Sequence, residues 1–343
     1  MPGMRPYRLA VAATLLLLLA SVAVTAYWLW ARDALETGIA RWRSEQIERG
    51  YEIAYRGPSF GGFPFALSVS FEAPRVTTPQ GIVWQGPPVS GEAKLWDPFT
   101  IDLHFPGLHR LSVTEGGETR QSNITAESAG GQVVLERDGR VESARVDLGQ
   151  LALSGDGLES LALQRLTARL GPLRPAEGDG LERLDVVAEA IGVKLPPGQG
   201  DLLGDELARL SFDSTLVGGI PPGKPETALP AWRDRGGAWR FHRLAALWGP
   251  LDLQADGALQ LDQALRPEGQ LDAKVKGAGA VIDRLTAAGK LKPEAALAAR
   301  LAVAALGRTD SSTGETVLAV PISLRQGMLY LGPIPLFPIA PVL

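Results

Sequence analysis

Histidines are the residues of this sequence best suited to metal binding or acid–base chemistry, and there are three. His104 and His109 flank a Phe-Pro-Gly-Leu segment, so they could face each other across a turn, with Asp102 two residues earlier on the same strand face. A structural or catalytic zinc site needs three or four ligands at suitable spacing, and Asp102 is only a guessed third. We therefore expect no metal site. We interpret His104 and His109 as exposed strand-end residues and His242 as a half-buried strand residue.

A phosphate-loop pattern, G-x-x-x-x-G-K, occupies Gly218 to Lys224. The next residue is Pro225, where a Ser or Thr should hold magnesium, and Pro221 and Pro222 remove backbone donors that bound phosphates need. We interpret the segment as an ordinary loop.

The sequence contains no other arrangement of residues that is typical of a catalytic or cofactor-binding site. The Asp and Glu residues are scattered over the polar faces of predicted strands, no G-x-S-x-G occurs, and the chain has no Cys. We therefore predict no catalytic residues, no cofactor and no enzyme activity. The formal net charge is −4 without a block of Lys or Arg, which excludes nucleic acid as an expected partner.

The element that positions the rest of the chain is the uncharged run from Leu9 to Trp30. Its roughly 22 residues form a helix of about 33 Å at ~1.5 Å per residue, enough to cross a bilayer core. We predict a retained transmembrane anchor over 9–30. The alternative is a cleaved signal peptide, because Val24-Thr25-Ala26 offers small residues for processing.

Charges around the anchor predict its orientation. Arg5 and Arg8 precede it, so the positive-inside rule leaves residues 1–8 in the cytoplasm. The bulk of the chain then lies in the periplasm on a single pass through the inner membrane. Three aromatic residues at the outer end are predicted to form an interfacial belt: Tyr27, Trp28 and Trp30.

Residues 31–50 are predicted to continue as a juxtamembrane helix, with Leu35, Ile39 and Trp42 at helical spacing and Gly50 at its end. Its positive and negative charges balance. We favour a solvated spacer over a docking surface for this helix.

From residue 51 the apolar period changes from 3.6 to 2, which predicts antiparallel strands with one buried face. Later stretches such as 210–216, 271–275 and 318–324 repeat this alternation. Asp-Gly pairs, including Asp138-Gly139 and Asp256-Gly257, predict hairpin turns. The candidate apolar groove comprises Phe65, Leu67, Val69, Phe71, Phe99, Ile101, Leu103 and Phe105.

These patterns divide the exported part into three regions. Residues 51–216 are a β-rich region, 217–237 a Pro/Gly-rich loop and candidate boundary, and 238–343 a β-rich region with a helical hairpin. The hairpin is predicted to begin near Val281, to restart at Pro293 and to end at Gly307.

Several features follow the anchor in a fixed order: the helix with Trp42 and Gly50, then Gly62-Phe63-Pro64-Phe65, Trp96 with Pro98, Trp248-Gly249-Pro250, Gly257 and Gly269. This order resembles an uncharacterised bacterial family known as a domain of unknown function, DUF2125, over nearly the whole chain. In architecture alone the chain distantly resembles AsmA-like envelope proteins, whose curved sheets are proposed to carry lipid along an apolar groove. Neither resemblance implies catalytic residues.

The fold class expected is mainly β: an antiparallel curved sheet, sandwich or open barrel with a few helices behind the transmembrane helix. Because few helices are available to cover it, the sheet must close on itself or leave part of its apolar face for a guest. Two functions remain open. One is lipid handling or envelope maintenance through an apolar groove that holds acyl chains, and the other is a scaffold that binds another envelope protein.

Overall fold

The computed structural model describes residues 6–115, 118–156, 158–174, 180–196, 203–221, 223–289, 291–309, 316–332 and 334–342. The described residues form four helices and 18 strands, and 57% of the chain is strand. All strand pairs are antiparallel among the pairings described. The prediction of a mainly antiparallel β protein behind one N-terminal apolar helix is confirmed.

Contacts divide the chain into two compact units. The N-terminal unit contains residues 1–125 and 129–139, and the C-terminal unit contains 126–128 and 140–343. The candidate boundary at 217–237 thus lies inside the C-terminal unit. The N-terminal elements are α1 (Pro6–Glu48), β1 (Glu52–Gly61), β2 (Ala66–Thr77), β3 (Val83–Gln85), β4 (Val89–Lys94), β5 (Asp97–His104), β6 (Gly107–Glu115) and most of β7 (Glu118–Leu135).

The first helix, α1, runs 43 residues without a break and is the one described helix long and apolar enough to cross a membrane. Every side chain from Ala13 to Tyr27 is exposed. The hydroxyls of Ser21 and Thr25 donate to backbone carbonyls four residues earlier, each at 2.8 Å. The helix therefore satisfies its few polar groups internally, as a bilayer requires.

Beyond residue 27, one stripe of α1 packs against β1 and β2. Trp28 is only 9% exposed, and Ala31, Leu35 and Ile39 follow at helical spacing as half-buried residues. Farther along, Arg43 Nε donates to the carbonyl of Ile53 at 3.3 Å. This part of α1 is therefore a docked helix, and the solvated-spacer interpretation is wrong.

In the N-terminal unit, strands pair in the order β1, β2, β4, β5 and β7, and β3 pairs with β2 and β6. The β1–β2 connection turns at Gly62, where φ is +91° and the carbonyl accepts a hydrogen bond from Ala66 N at 2.8 Å. A Cβ on Gly62 would lie 2.7 Å from Ala66 O, so this turn requires glycine.

The C-terminal unit is a meander in which each strand pairs with the next from β8 to β14. Strand β16 then pairs with β14, β15 and β17, and β17 pairs with β18. The strands are β8 (Val141–Gly155), β9 (Leu158–Arg174), β10 (Arg183–Lys194), β11 (Glu206–Val217), β12 (Ala238–Trp248), β13 (Leu251–Leu261), β14 (Pro267–Lys276), β15 (Gly307–Thr309), β16 (Thr316–Arg325), β17 (Met328–Leu331) and β18 (Ile334–Pro338).

The segment 217–237, predicted as a loop, contains helix α2, Pro225–Asp234. Pro225 stands in its first turn, where a missing N–H costs nothing. The indole N–H of Trp232 lies within hydrogen-bonding distance of the carbonyls of Val217, at 3.0 Å, and Gly218, at 2.7 Å. Pro225 therefore begins a helix that docks on the end of β11, and loop residues lie on both sides of this helix, at 218–221 and 235–237.

The predicted helical hairpin is present as α3, Ala278–Ala287, and α4, Pro293–Leu306. Ala278 and Val303 pack against the buried core of this unit. That core is the inner face of β12, β13, β14 and β16, and its buried members are Phe241, Ala255, Leu271, Ala273, Val275 and Leu318.

The two Asp-Gly pairs that lie wholly within the described residues differ in their structure. Gly139 closes the turn between β7 and β8, as predicted, with its N–H 2.9 Å from Glu136 O. Gly257 instead lies inside β13 at φ +148°. A Cβ there would meet Gln270 O at 2.3 Å, so this glycine permits close approach of β14 and makes no turn.

We predict that Gly257→Ala lowers the free energy of unfolding by about 1–3 kcal/mol, because alanine is strained at this φ and collides with β14. Chemical unfolding of the detergent-solubilised full chain measures the change. Gly279→Ala in α3 is the control, since nothing lies within 4 Å of its added Cβ. Equal stability of the two variants would contradict this account of β13.

Candidate functional site

The register of the N-terminal unit brings the predicted groove residues of β2 and β5 to one face, with β4 between them. Residues directly opposite in antiparallel strands share a face. Two rows result: Leu67, Ala93, Ile101 and Val133 in one, and Phe60, Val69, Gly91, Leu103 and Gly131 in the other.

This face has the form of a shallow trough. Its middle strand contributes the small residues Gly91 and Ala93, and a Cβ on Gly91 would lie 3.4 Å from the Leu103 side chain. None of the eight predicted groove residues is buried: Phe65 is 66% exposed, Phe99 is 41% exposed and the other six are half-buried. The larger side chains of β2 and β5 thus flank the small residues of β4, and this face remains accessible to solvent.

The histidines of the N-terminal unit do not form a pair. His109 is half-buried, stacks on Trp84 with ring centroids 5.9 Å apart, and donates from Nε2 to Phe105 O at 3.0 Å. His104 is exposed, and Asp102 accepts a hydrogen bond from Gln132 Nε2 at 2.8 Å. The interpretation of His109 as exposed is therefore wrong, because the aromatic side chain of Trp84 covers it.

A larger apolar face, absent from the predicted site, lies in the C-terminal unit across eight strands. Each strand's alternation is visible in the sequence, but only the register joins the strands into rows. The rows are Leu148, Leu166, Ala190, Leu210, Ala246, Leu253, Val275 and Leu318; Val146, Ala168, Ala188, Phe212, Leu244, Ala255, Ala273 and Val320; and Ala144, Leu170, Val186, Ser214, Phe241, Gly257, Leu271 and Ile322.

Burial along this face is uneven. Its β13–β16 end is largely buried, at the core that α3 and α4 contact. On β8 to β11 the row residues other than Ser214 are half-buried or exposed, with Leu170 at 40% and Leu210 at 38%. We call the row residues on β8 to β11, without Ser214, the open apolar face.

Ser214 is the polar member of these rows, and it is fully satisfied. Its side chain is inaccessible to solvent, and its Oγ donates to Val186 O at 2.9 Å. Trp239 Nε1 donates to the same oxygen at 2.9 Å. A serine paired in this way leaves no free polar group in the apolar row.

The reverse face of the C-terminal unit is charged. Asp147 pairs with Arg165 on the neighbouring strand, and Glu189 lies 3.3 Å from Arg209. The hydrogen bond from Arg165 outweighs partial burial and lowers the pKa of Asp147. One face of this sheet is therefore suited to water and the other to apolar material.

A polar cavity of about 360 Å³ opens among the charged residues. Thr215 Oγ1 donates to Asp185 Oδ1 at 2.8 Å and lies 2.9 Å from His242 Nε2. His242 is exposed rather than half-buried as expected. The lining residues are Arg174, Arg183, Asp185, Asp213, Thr215, Val217, Arg240 and His242.

The chemistry of this cavity follows from the hydrogen bonds of Thr215. Partial burial raises the pKa of Asp185, but hydrogen bonds from Thr215 and Arg174 outweigh it, so the pKa is lowered. A carboxylate with a lowered pKa is a weak base. Since the Thr215 hydroxyl donates to that carboxylate, its oxygen accepts from His242, and the three residues form a hydrogen-bonded chain across strands.

We predict that Asp185 stabilises the folded protein at neutral pH and loses this effect in acid. Its folded-state pKa lies below the unfolded value, so the stabilisation exists above the unfolded pKa of ~3.9 and disappears as pH falls through the folded one. The difference in thermal midpoint between wild type and Asp185→Asn, measured against pH, should therefore shrink on acidification. A difference in thermal midpoint that stays constant or grows on acidification would contradict this role of Asp185.

The three predicted interfacial aromatic residues take two different environments. Tyr27 and Trp30 are 43% and 65% exposed, and their rings stack with centroids 5.8 Å apart. Trp28 points the other way, and its Nε1 donates to Ala66 O at 2.8 Å. Trp28 therefore joins the helix to the sheet and is not an exposed belt residue.

Comparison with curated proteins gives no match, and comparison with solved structures gives none either. The AsmA-like resemblance stays a hypothesis. A family model of uncharacterised proteins conserved in bacteria matches residues 28–340, so it begins where α1 meets the sheet and covers both units. The chain belongs to this family, DUF2125.

Proposed function

We propose that this membrane-anchored protein handles lipid, with acyl chains lying on the open apolar face, and that it is not an enzyme. The observation that carries the proposal is the contrast between the two faces of β8 to β11. One face bears the accessible apolar residues of the rows, mostly Leu, Val and Ala, and the other bears cross-strand ion pairs.

Energetics favour an apolar guest on this face. Covering accessible apolar surface gains about 25 cal/mol per Å², and most members of the open apolar face are half-buried rather than fully covered. Extended acyl chains fit a face of small and medium aliphatic side chains without needing polar partners. A chain anchored in a bilayer works beside an abundant supply of such guests.

The location we propose is the inner membrane, with the body of the protein in the periplasm. α1 continues unbroken through the candidate cleavage site at 24–26, and its next residues dock on β1 and β2. Cleavage there would cut a packed helix just before Trp28. Together with Arg5 and Arg8 ahead of the apolar run, this supports a retained anchor with its N-terminus in the cytoplasm.

The lipid proposal predicts that Leu170→Asp reduces the lipid bound to the purified full chain, because a carboxylate on the open apolar face must be desolvated under an acyl chain. Arg169→Asp is the matched control, because it introduces the same carboxylate at the neighbouring position of β9, whose side chain lies on the charged face. Lipid released from both proteins after exchange into a lipid-free surfactant is quantified by mass spectrometry.

Circular dichroism checks that both variants keep the wild-type strand signal. Lipid lost from Leu170→Asp and kept by Arg169→Asp supports the proposal. A wild type free of fatty acid and phospholipid would refute it, and a polypeptide co-purifying in its place would favour the scaffold that binds another envelope protein.

The proposed topology is testable because the chain has no native Cys. A cysteine at Gln260, an exposed residue of β13, should react in intact cells with a maleimide that crosses the outer but not the inner membrane. A cysteine at Met4 should react only after lysis. Reaction of the Met4 position in intact cells, or release of a truncated soluble form, would refute the proposed anchor and orientation.

A further inference from the structure

Three large aromatic side chains protrude from two turns at one end of the N-terminal sheet. Phe63 and Phe65, in the β1–β2 turn, are 55% and 66% exposed, and Trp96, in the β4–β5 turn, is 69% exposed. Aromatic residues this large rarely remain in water as a group without a partner surface. We call Phe63, Phe65 and Trp96 the aromatic rim.

The two turns that carry the rim are held side by side. Leu95 N donates to Phe65 O at 3.0 Å, and Ala66 pairs with Lys94 at the ends of β2 and β4. The position of Trp96 relative to Phe65 is therefore set by backbone hydrogen bonds, and the rim is a built surface.

Trp28 fixes the rim to the helix. Its indole N–H donates to Ala66 O, and its ring packs edge-on against Phe63 with centroids 5.8 Å apart. Trp28 also lies two residues before the end of the uncharged run, Leu9 to Trp30. Its roughly 22 residues span about 33 Å at ~1.5 Å per residue, enough to cross a bilayer core.

We propose that the aromatic rim inserts into the headgroup region of the same membrane that α1 spans. Since Trp28 lies near the outer end of the span and contacts the rim turn directly, the rim is at the depth where aromatic side chains are favoured. Tyr27 and Trp30 are exposed on the helix at this level.

The rim also defines where the trough of the N-terminal unit ends. Phe65 and Leu67 alternate with Ala66, so both lie on the same face of the chain as it enters β2. The apolar face that begins at the rim therefore continues into the trough. With the rim in the bilayer, this apolar face opens at the lipid surface. The inference rests on membrane anchorage and does not require that lipid be carried.

The test uses the full chain with single cysteines at Phe65 or Trp96, each carrying a nitroxide, in vesicles of phosphatidylethanolamine and phosphatidylglycerol. Accessibility is measured to oxygen, which concentrates in lipid, and to a water-soluble nickel complex. A nitroxide at Tyr27 is the membrane reference. A nitroxide at His104, exposed at the opposite end of β5, is the aqueous control.

At Phe65 and Trp96 we expect the ratio of oxygen to nickel accessibility to rise above that at His104 and to approach that at Tyr27. Ratios equal to that at His104, in protein with wild-type circular dichroism, would overturn the docking of the rim. This outcome is independent of bound lipid, so it is distinguishable from a failure of the lipid-handling proposal.

Discussion

The constraint on which the rest of this structure depends is that a sheet has two faces and backbone hydrogen bonds cover neither. Pairing satisfies the N–H and C=O groups of β8 to β14, but side chains alternate, so every strand presents mainly apolar residues on one face. At the β12 to β16 end, α3 and α4 pack against a buried core. Along β8 to β11 the same rows remain accessible, with Leu170 and Leu210 more than a third exposed. The partial cover over this face is what makes a binding function the natural interpretation.

Keeping one apolar face across eight strands requires local irregularity, and β12 shows how it is achieved. Phe241 and Leu244 are three residues apart, which would place them on opposite faces of a regular strand. The register shifts between them against both neighbours, so both side chains enter the apolar rows. The displaced residue His242 then lies in the polar cavity beside Thr215. One bulge thus preserves the apolar rows on one face and completes the hydrogen-bonded chain on the other.

How far the sequence leads can be judged from particular elements. Alternation identified β2, β5, β11, β14 and β16, and the helical hairpin followed from Pro293 and Gly307, because these signals are local. Asp256-Gly257 misled because a glycine required by close approach of β14 looks the same in sequence as a turn glycine. The groove residues of β2 and β5 do share a face, yet the sequence pattern does not mark the larger rows of the C-terminal unit as a site. Such rows depend on register between strands far apart in the chain, which alternation within one strand does not determine.

Trp28 illustrates the same limit near the end of the apolar run of α1 and shows what the structure adds. In the sequence it is one of three aromatic residues at the end of an apolar run, where an interfacial belt is the ordinary explanation. In the structure its ring is buried and its N–H donates a hydrogen bond to Ala66 O. Trp28 therefore couples the position of the helix to that of the β1–β2 turn. A helix free to swivel where it meets the sheet would leave the sheet at a variable position relative to the apolar run. Contacts of Trp28, Arg32 and Arg43 with β1 and β2 oppose such motion, since swivelling would break two hydrogen bonds and two cation–ring contacts together.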